Sequence, residues 1–100
     1  MMQARINYEF SSKLWKDASL GGWFFISLPH NLSIEIRESH QWQEEGWGRL
    51  KVTASIKENA WETAIWYDTK MNTYLLPVKS EIRKKAGIKL DDLISVSILI

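Results

Sequence analysis

The sequence predicts a mainly β fold: a small closed or double-split β-barrel of about six strands with two short helices. Three observations predict it. Several segments alternate apolar and polar residues with a period of two, most clearly Arg49–Lys57 and Leu93–Ile100. Glycine, asparagine and aspartate cluster between those segments, as turns require. A strand–Leu-Pro–short helix–turn–strand pattern occurs twice, so an internal duplication is expected, with halves of about 1–57 and 58–100 in one domain.

The elements follow in order. Ala4–Phe10 alternates Ala4, Ile6, Tyr8 and Phe10 against Arg5, Asn7 and Glu9, and the strand is open to continuation through Leu14 and Trp15. Lys16–Gly22 is a turn or loop. Trp23–Leu28 is a strand with two apolar faces, Phe24, Ile26 and Leu28 on one and Trp23 and Phe25 on the other. Pro29 stops it. Asn31 is placed to cap a short helix over Leu32–Glu38 that buries Leu32 and Ile36. Ser39–Gly48 is a loop. Arg49–Lys57 and Ala60–Tyr67 form a hairpin around Glu58-Asn59, with Asn59 suited to positive φ.

After a turn at Asp68–Asn72 comes Thr73–Val78, then a helix at about 79–86. Pro77 suits its first position, Lys84 and Lys85 its last turn, and Gly87 a left-handed end. The last strand, Leu93–Ile100, sets Ile94, Val96, Ile98 and Ile100 against Ser95 and Ser97. In the duplication, Ser27-Leu28-Pro29 and Glu35-Ile36-Arg37 match Leu75-Leu76-Pro77 and Glu81-Ile82-Arg83, with two extra residues in the first copy. Two such units interleave about a pseudo-twofold axis to close a barrel and hide its edges.

Composition narrows the function. A chain of 100 residues with 45% hydrophobic and 25% charged residues suits one soluble domain. A formal charge of +1 leaves no strong footprint for nucleic acid or membrane. Without cysteine there is no disulfide, thiolate zinc site or cysteine nucleophile. His30 and His40 are too few and too separate for a metal centre, so neither a metal nor another cofactor is expected. The N-terminus has no signal-peptide core, and the longest apolar runs are far too short to span a bilayer, so a cytoplasmic location away from membranes is expected.

The abnormal feature is six tryptophans, each needing a partner for its indole N–H when buried. Trp61 and Trp66 lie on opposite faces of one strand, which asks for either a covered outer surface or a binding platform. Trp42 and Trp47, in a glycine-bearing loop, are placed either to plug a barrel end or to face a partner; at least one is expected to be exposed beside a concave apolar site. With Trp23 these form the ligand-binding candidates: Trp23, Trp42, Trp47, Trp61 and Trp66. Lys79, Arg83, Lys84 and Lys85, with Lys89, form the only charge cluster. They suit an anion or nucleic acid through Arg83, or simply a solvated helix face. Arg49, Lys51 and Lys57 lie on one strand face and would either extend that patch or be cancelled by Glu58 and Glu62 nearby. No catalytic constellation appears: no nucleophile elbow, no phosphate-cradling glycine loop, and the adjacent pairs Glu44-Glu45 and Asp91-Asp92 point apart in an extended segment.

Leu14-Trp15, Trp23-Phe24-Phe25-Ile26-Ser27-Leu28-Pro29, Gly46-Trp47-Gly48, Trp61-Glu62-Thr63-Ala64 and Tyr74-Leu75-Leu76-Pro77-Val78-Lys79 with Ile82-Arg83 together resemble a family of small, mostly bacterial proteins catalogued as a domain of unknown function. The resemblance covers nearly the whole chain. It implies a double-split β-barrel similar in topology to the AbrB, MazE and MraZ barrels, and carries no activity over. Where that family has Gly-Asp before the last strand, this chain has Asp91-Asp92, so Asp91 is expected at a positive-φ turn position. The reading that follows is a binding module without catalytic activity, for a small aromatic ligand or a protein partner, working as a monomer or weak homodimer. The alternative is an AbrB-like nucleic-acid-binding regulator, a fold-level analogy that the near-neutral charge weighs against.

Overall fold

The computed structural model describes residues 5–19, 21–46 and 48–100. It contains six strands: β1 (Asn7–Asp17), β2 (Trp23–Ser27), β3 (Arg49–Ile56), β4 (Asn59–Asp68), β5 (Thr73–Pro77) and β6 (Leu93–Leu99). Helix α1 (His30–His40), extended by one 3-10 turn at Gln41–Gln43, joins β2 to β3, and α2 (Ser80–Ala86) joins β5 to β6. The strands close into an antiparallel barrel in the order β1-β2-β5-β4-β3-β6. The mainly β barrel with two helices is therefore what the chain forms.

The core follows from the period-two alternation. Each strand sends at least one side chain to the middle that is fully or almost fully buried, among them Leu14, Ile26, Leu50, Ile65, Leu76 and Ile98. Ile36 of α1 and Ile82 and Ala86 of α2 join the same cluster. In β6 the expected face, Ile94, Val96, Ile98 and Ile100, is buried.

The strand order is unchanged when β1, β2 and β3 are exchanged with β4, β5 and β6. Register obeys the same exchange. Ile26 opposes Leu76 and Ser55 opposes Ser97. Trp15 stands beside Phe25 as Trp66 stands beside Leu75, and Asp17 beside Trp23 as Asp68 beside Thr73. Both aspartates close the following turn alike, Asp17 Oδ1 accepting from Ser19 N at 3.0 Å and Asp68 Oδ1 from Lys70 N at 2.9 Å.

This register corrects the expected alignment of the Leu-Pro steps. Pro29 is the N-cap of α1, and the residue it matches is Lys79, the N-cap of α2. Pro77 is not the first residue of a helix but the last of β5, opposite Phe25. Because Val78 N donates to Phe24 O and Leu28 N to Tyr74 O, the N–H that residue 77 lacks would have pointed away from β2, towards β4. The β4–β5 ladder accordingly stops at Trp66–Leu75.

Other expectations shift for physical reasons. Of the first strand's expected span Ala4 lies outside the described residues; β1 begins at Asn7 and runs on to Asp17, because its N-terminal part, Asn7–Lys13, pairs with β6 and its C-terminal part, Leu14–Asp17, with β2. Asn31 is not a cap; it lies inside α1, which is two residues longer at its C-terminal end than expected. Besides Ile36, that helix buries Ser33, whose hydroxyl accepts from Tyr74 N at 3.0 Å and meets Thr73 Oγ1 at 3.1 Å; Leu32 is only half-buried. In the β3–β4 turn the positive φ falls on Lys57 (56°) rather than Asn59. Gly87 (65°) and Asp91 (69°) are left-handed as expected.

Candidate binding site

The outer face of β1, β2, β5 and β4 carries an aromatic cluster outside the barrel core. Alternation turns Leu14 and Ile26 inward, so Trp15, Trp23 and Phe25 face out. Trp15 packs on Phe25 with ring centroids 5.2 Å apart, Trp23 stacks on Phe25 at 6.2 Å, and Trp66 lies 5.7 Å from Trp23 and 6.3 Å from Phe25. Phe25 is thereby buried to 6% exposure although it points away from the core, while Trp23 stays 50% exposed. Trp15 is anchored by its indole N–H on Ser27 Oγ at 2.9 Å.

Beside this cluster runs a groove of about 620 Å³. Trp23, Trp66 and Pro77 line one part of it, and Lys79, Ser80 and Arg83 another; Ala64 and Glu62 of β4 also reach it. Its origin is local. Pro77 cannot donate to β4, so β4 and β5 part beyond Trp66–Leu75 and α2 starts at the opening. The Arg83 guanidinium carbon lies over the Phe24 ring, 3.6 Å from its centroid, and Arg83 Nε is buried without a hydrogen-bond partner.

The candidates taken from sequence separate here. Trp23 and Trp66 come together, with Lys79 and Arg83 along the same groove. Trp61 does not join them; it is half-buried against the core from the inner side of β4. Trp42 is 73% exposed on the 3-10 turn, its N–H on Ser39 O at 3.2 Å, and the groove is lined without it. Exposure of Trp42 is as expected, and a second concavity is lined by Glu45 and Gly46 of the same loop together with Arg49, Trp66 and Tyr67. Trp47 falls outside the described residues. Lys84 is exposed on α2 and Lys85 pairs with Glu81 at 3.2 Å, a solvated helix face. Arg49 and Lys51 converge on Glu45 at 3.5 and 3.9 Å, and Lys57 turns to the end of α2, so these three do not extend the patch as one stripe. Sequence reasoning left Trp15 and Ser27 out of the site. The signal was present: if Leu14 faces in, Trp15 must face out.

A second polar cluster lies under α1 and is internally satisfied. Fully buried Tyr74 donates to Glu44 Oε2 at 3.0 Å, and Glu44 Oε1 lies 3.9 Å from Arg37, which in turn covers the Tyr67 ring at 3.8 Å. Burial, then the Glu44 carboxylate it bonds, pushes the Tyr74 hydroxyl far above the ordinary tyrosine range. Glu44 faces in and Glu45 out, so the adjacent pair does point apart. Among the described residues, no three histidine, cysteine, aspartate or glutamate side chains are grouped to hold a metal, and no helix is long and apolar enough to cross a membrane.

The fold and this face define a small closed β-barrel with an outward aromatic cluster and a cation-lined groove. The chain matches a family described as a domain of unknown function (DUF1905) over residues 10–98, and it belongs to that family. No curated protein matches it.

Proposed function

We propose that the protein is a non-catalytic binding module whose contact surface is the aromatic face of β2 and β4. The observation that carries this is Trp23: half exposed, held by Phe25 and Trp66, and bordering a groove. An ordered, partly exposed tryptophan beside a concavity offers contact area at little entropic cost. Its preorganisation by Phe25 and Trp66 supports binding over simple packing. The division of the domain into related halves, about 1–57 and 58–100, belongs to the same reading and is supported by the exchange symmetry of the ladders. An AbrB-like nucleic-acid role has less support, because Arg49, Lys51 and Lys85 are tied to glutamates. Duplex DNA binding is expected to be weak and to fall steeply with salt.

The test is a set of neutral aromatic fragments titrated into isotope-labelled protein, with the indole N–H signals of all tryptophans followed. Shifts should gather at Trp23 and Trp66. Trp23→Ala should lose them with little change in melting, whereas Trp61→Ala should lose up to about 3–5 kcal/mol, as a core truncation does. Shifts that fall elsewhere, or a Trp23→Ala protein that melts like Trp61→Ala, would remove the proposal.

A further inference from the structure

The exchange of the two halves singles out what the groove is built to hold. It matches Trp15 with Trp66, Ser27 with Pro77, and Ser33 with Arg83, given that Ser33 N→Pro29 O is the counterpart of Arg83 N→Lys79 O. In the first half the site is closed: the Trp15 N–H is taken by Ser27 Oγ, and Ser33 is buried in hydrogen bonds with Tyr74 and Thr73. In the second half each closing group is replaced. Pro77 offers the Trp66 indole no hydroxyl, and Arg83 brings a guanidinium whose Nε is buried without a partner. Pro77 also keeps β5 from zipping further onto β4, since the residue a continued ladder would set opposite Ala64 has no N–H.

The donors and charges along this opening are lopsided. Arg83, Lys79 and Arg49 line it against one acidic side chain, Glu62; Arg49 is paired with Glu45 at 3.5 Å and Glu62 accepts from Thr53 Oγ1 at 3.1 Å. Among the described residues neither Arg83 nor Lys79 has an ion-pair partner. The Phe24 ring holds the guanidinium plane in place, which suits an oxyanion that accepts from it in a fork. The volume of about 620 Å³ lies within the roughly 300–1,000 Å³ typical of small-molecule sites.

We propose that this groove binds a small planar aromatic ligand carrying one anionic group, with the ring against Trp23 and Trp66 and the anion on Arg83 and Lys79. The proposal rests on the aromatic-face reading and adds the ligand's class and charge to it.

The test uses two probes of one shape that differ by one charge, indole-3-acetate and indole-3-acetamide, titrated at physiological salt. The readout is the indole N–H signals of Trp23 and Trp66, assigned with Trp→Phe variants. The acetate should move both signals and bind about tenfold more tightly than the amide, the gain of a charge-assisted contact over a neutral one. Arg83→Gln and Lys79→Gln should each erase most of that preference. Lys79 is exposed, so its variant carries the test if Arg83→Gln fails to fold. Equal binding of the two probes would overturn the anionic assignment and leave the aromatic-face reading standing. If neither probe moves Trp23 or Trp66, the inference is overturned; neutral fragments that still land on Trp23 separate that failure from failure of the face itself.

Discussion

The Lys57 ammonium donates to the Ala86 carbonyl at 2.6 Å, tying the β3–β4 turn to the last turn of α2. The same lysine holds a left-handed backbone, φ 56°, at the first position of a two-residue hairpin loop that glycine would normally occupy. The side-chain contact and the backbone strain therefore oppose each other at one residue. Lys57→Met should keep the strain and lose the contact, costing about 0.5–1.5 kcal/mol. Lys57→Gly should relieve the strain while losing the contact, with a net change near zero. Thermal melts of the two variants check this; a glycine variant that melts well below the methionine one would show that strain is not the opposing factor.

Asp91 sits at φ 69° in the turn before β6, where its backbone N–H donates to Leu14 O at 2.9 Å. Glycine keeps that bond and removes the steric cost. Asp91→Gly is expected to be neutral or to stabilise by up to about 1 kcal/mol, glycine's greater unfolded-state freedom offsetting part of the relief. A clear fall in melting temperature would assign the Asp91 side chain a role of its own.

His40 is buried between Tyr8 OH, 3.0 Å from Nε2, and Gln43 Nε2, 3.1 Å from Nδ1. With the Gln43 amide donating to Nδ1, the neutral ring carries its proton on Nε2 and bonds Tyr8. Burial holds its pKa below the ordinary histidine value. The unfolded chain thus binds a proton at higher pH than the fold does, and stability is lost as pH falls below about 6.5 towards the lower folded value. Melting temperature should drop on acidification through that range, and His40→Gln should flatten the drop. An unchanged pH profile in that variant would place the acid sensitivity elsewhere.

Tyr74→Phe removes the donor to Glu44 and leaves that carboxylate, whose side chain is 8% exposed, with Arg37 alone at 3.9 Å. The loss should be about 1–3 kcal/mol, the cost of a buried acceptor left short of a partner. A denaturant titration at neutral pH reads it; a loss within experimental error would mean that water or Arg37 moves in to replace the phenol.

Pro77→Ala restores an N–H facing β4 at the mouth of the groove. The β4–β5 ladder should extend by one pair, visible as slow hydrogen exchange at residue 77, and the melting temperature should hold or rise. Binding of the aromatic probes should weaken as the opening narrows. An unprotected amide at residue 77 with unchanged binding would show that α2, not the proline, holds the strands apart.

Much of the barrel was legible in the sequence because alternation is a local property. Leu50, Val52, Ala54 and Ile56, or Ile94, Val96 and Ile98, declare an inner face without reference to any other strand. Gly87 and Asp91 were legible because a left-handed turn is decided within a few residues. The site was legible in part. Trp23, Trp66, Lys79 and Arg83 were all singled out, yet nothing in their spacing joins residues up to 60 positions apart, and Trp42 and Trp61 looked equally eligible.

The sequence by itself determined which residues alternate, where the chain turns, and so the class of fold. Only the tertiary structure decided register and company. Pairing Ile26 with Leu76 gave Pro29 the same role as Lys79 rather than Pro77, and turned Pro77 from a helix starter into the residue that opens the groove. It also buried Phe25 on the outside, under Trp15, Trp23 and Trp66. The physical reason is that a strand's pattern specifies which face is apolar, whereas which strands lie beside it, and in what register, is set by closing the whole barrel around one core.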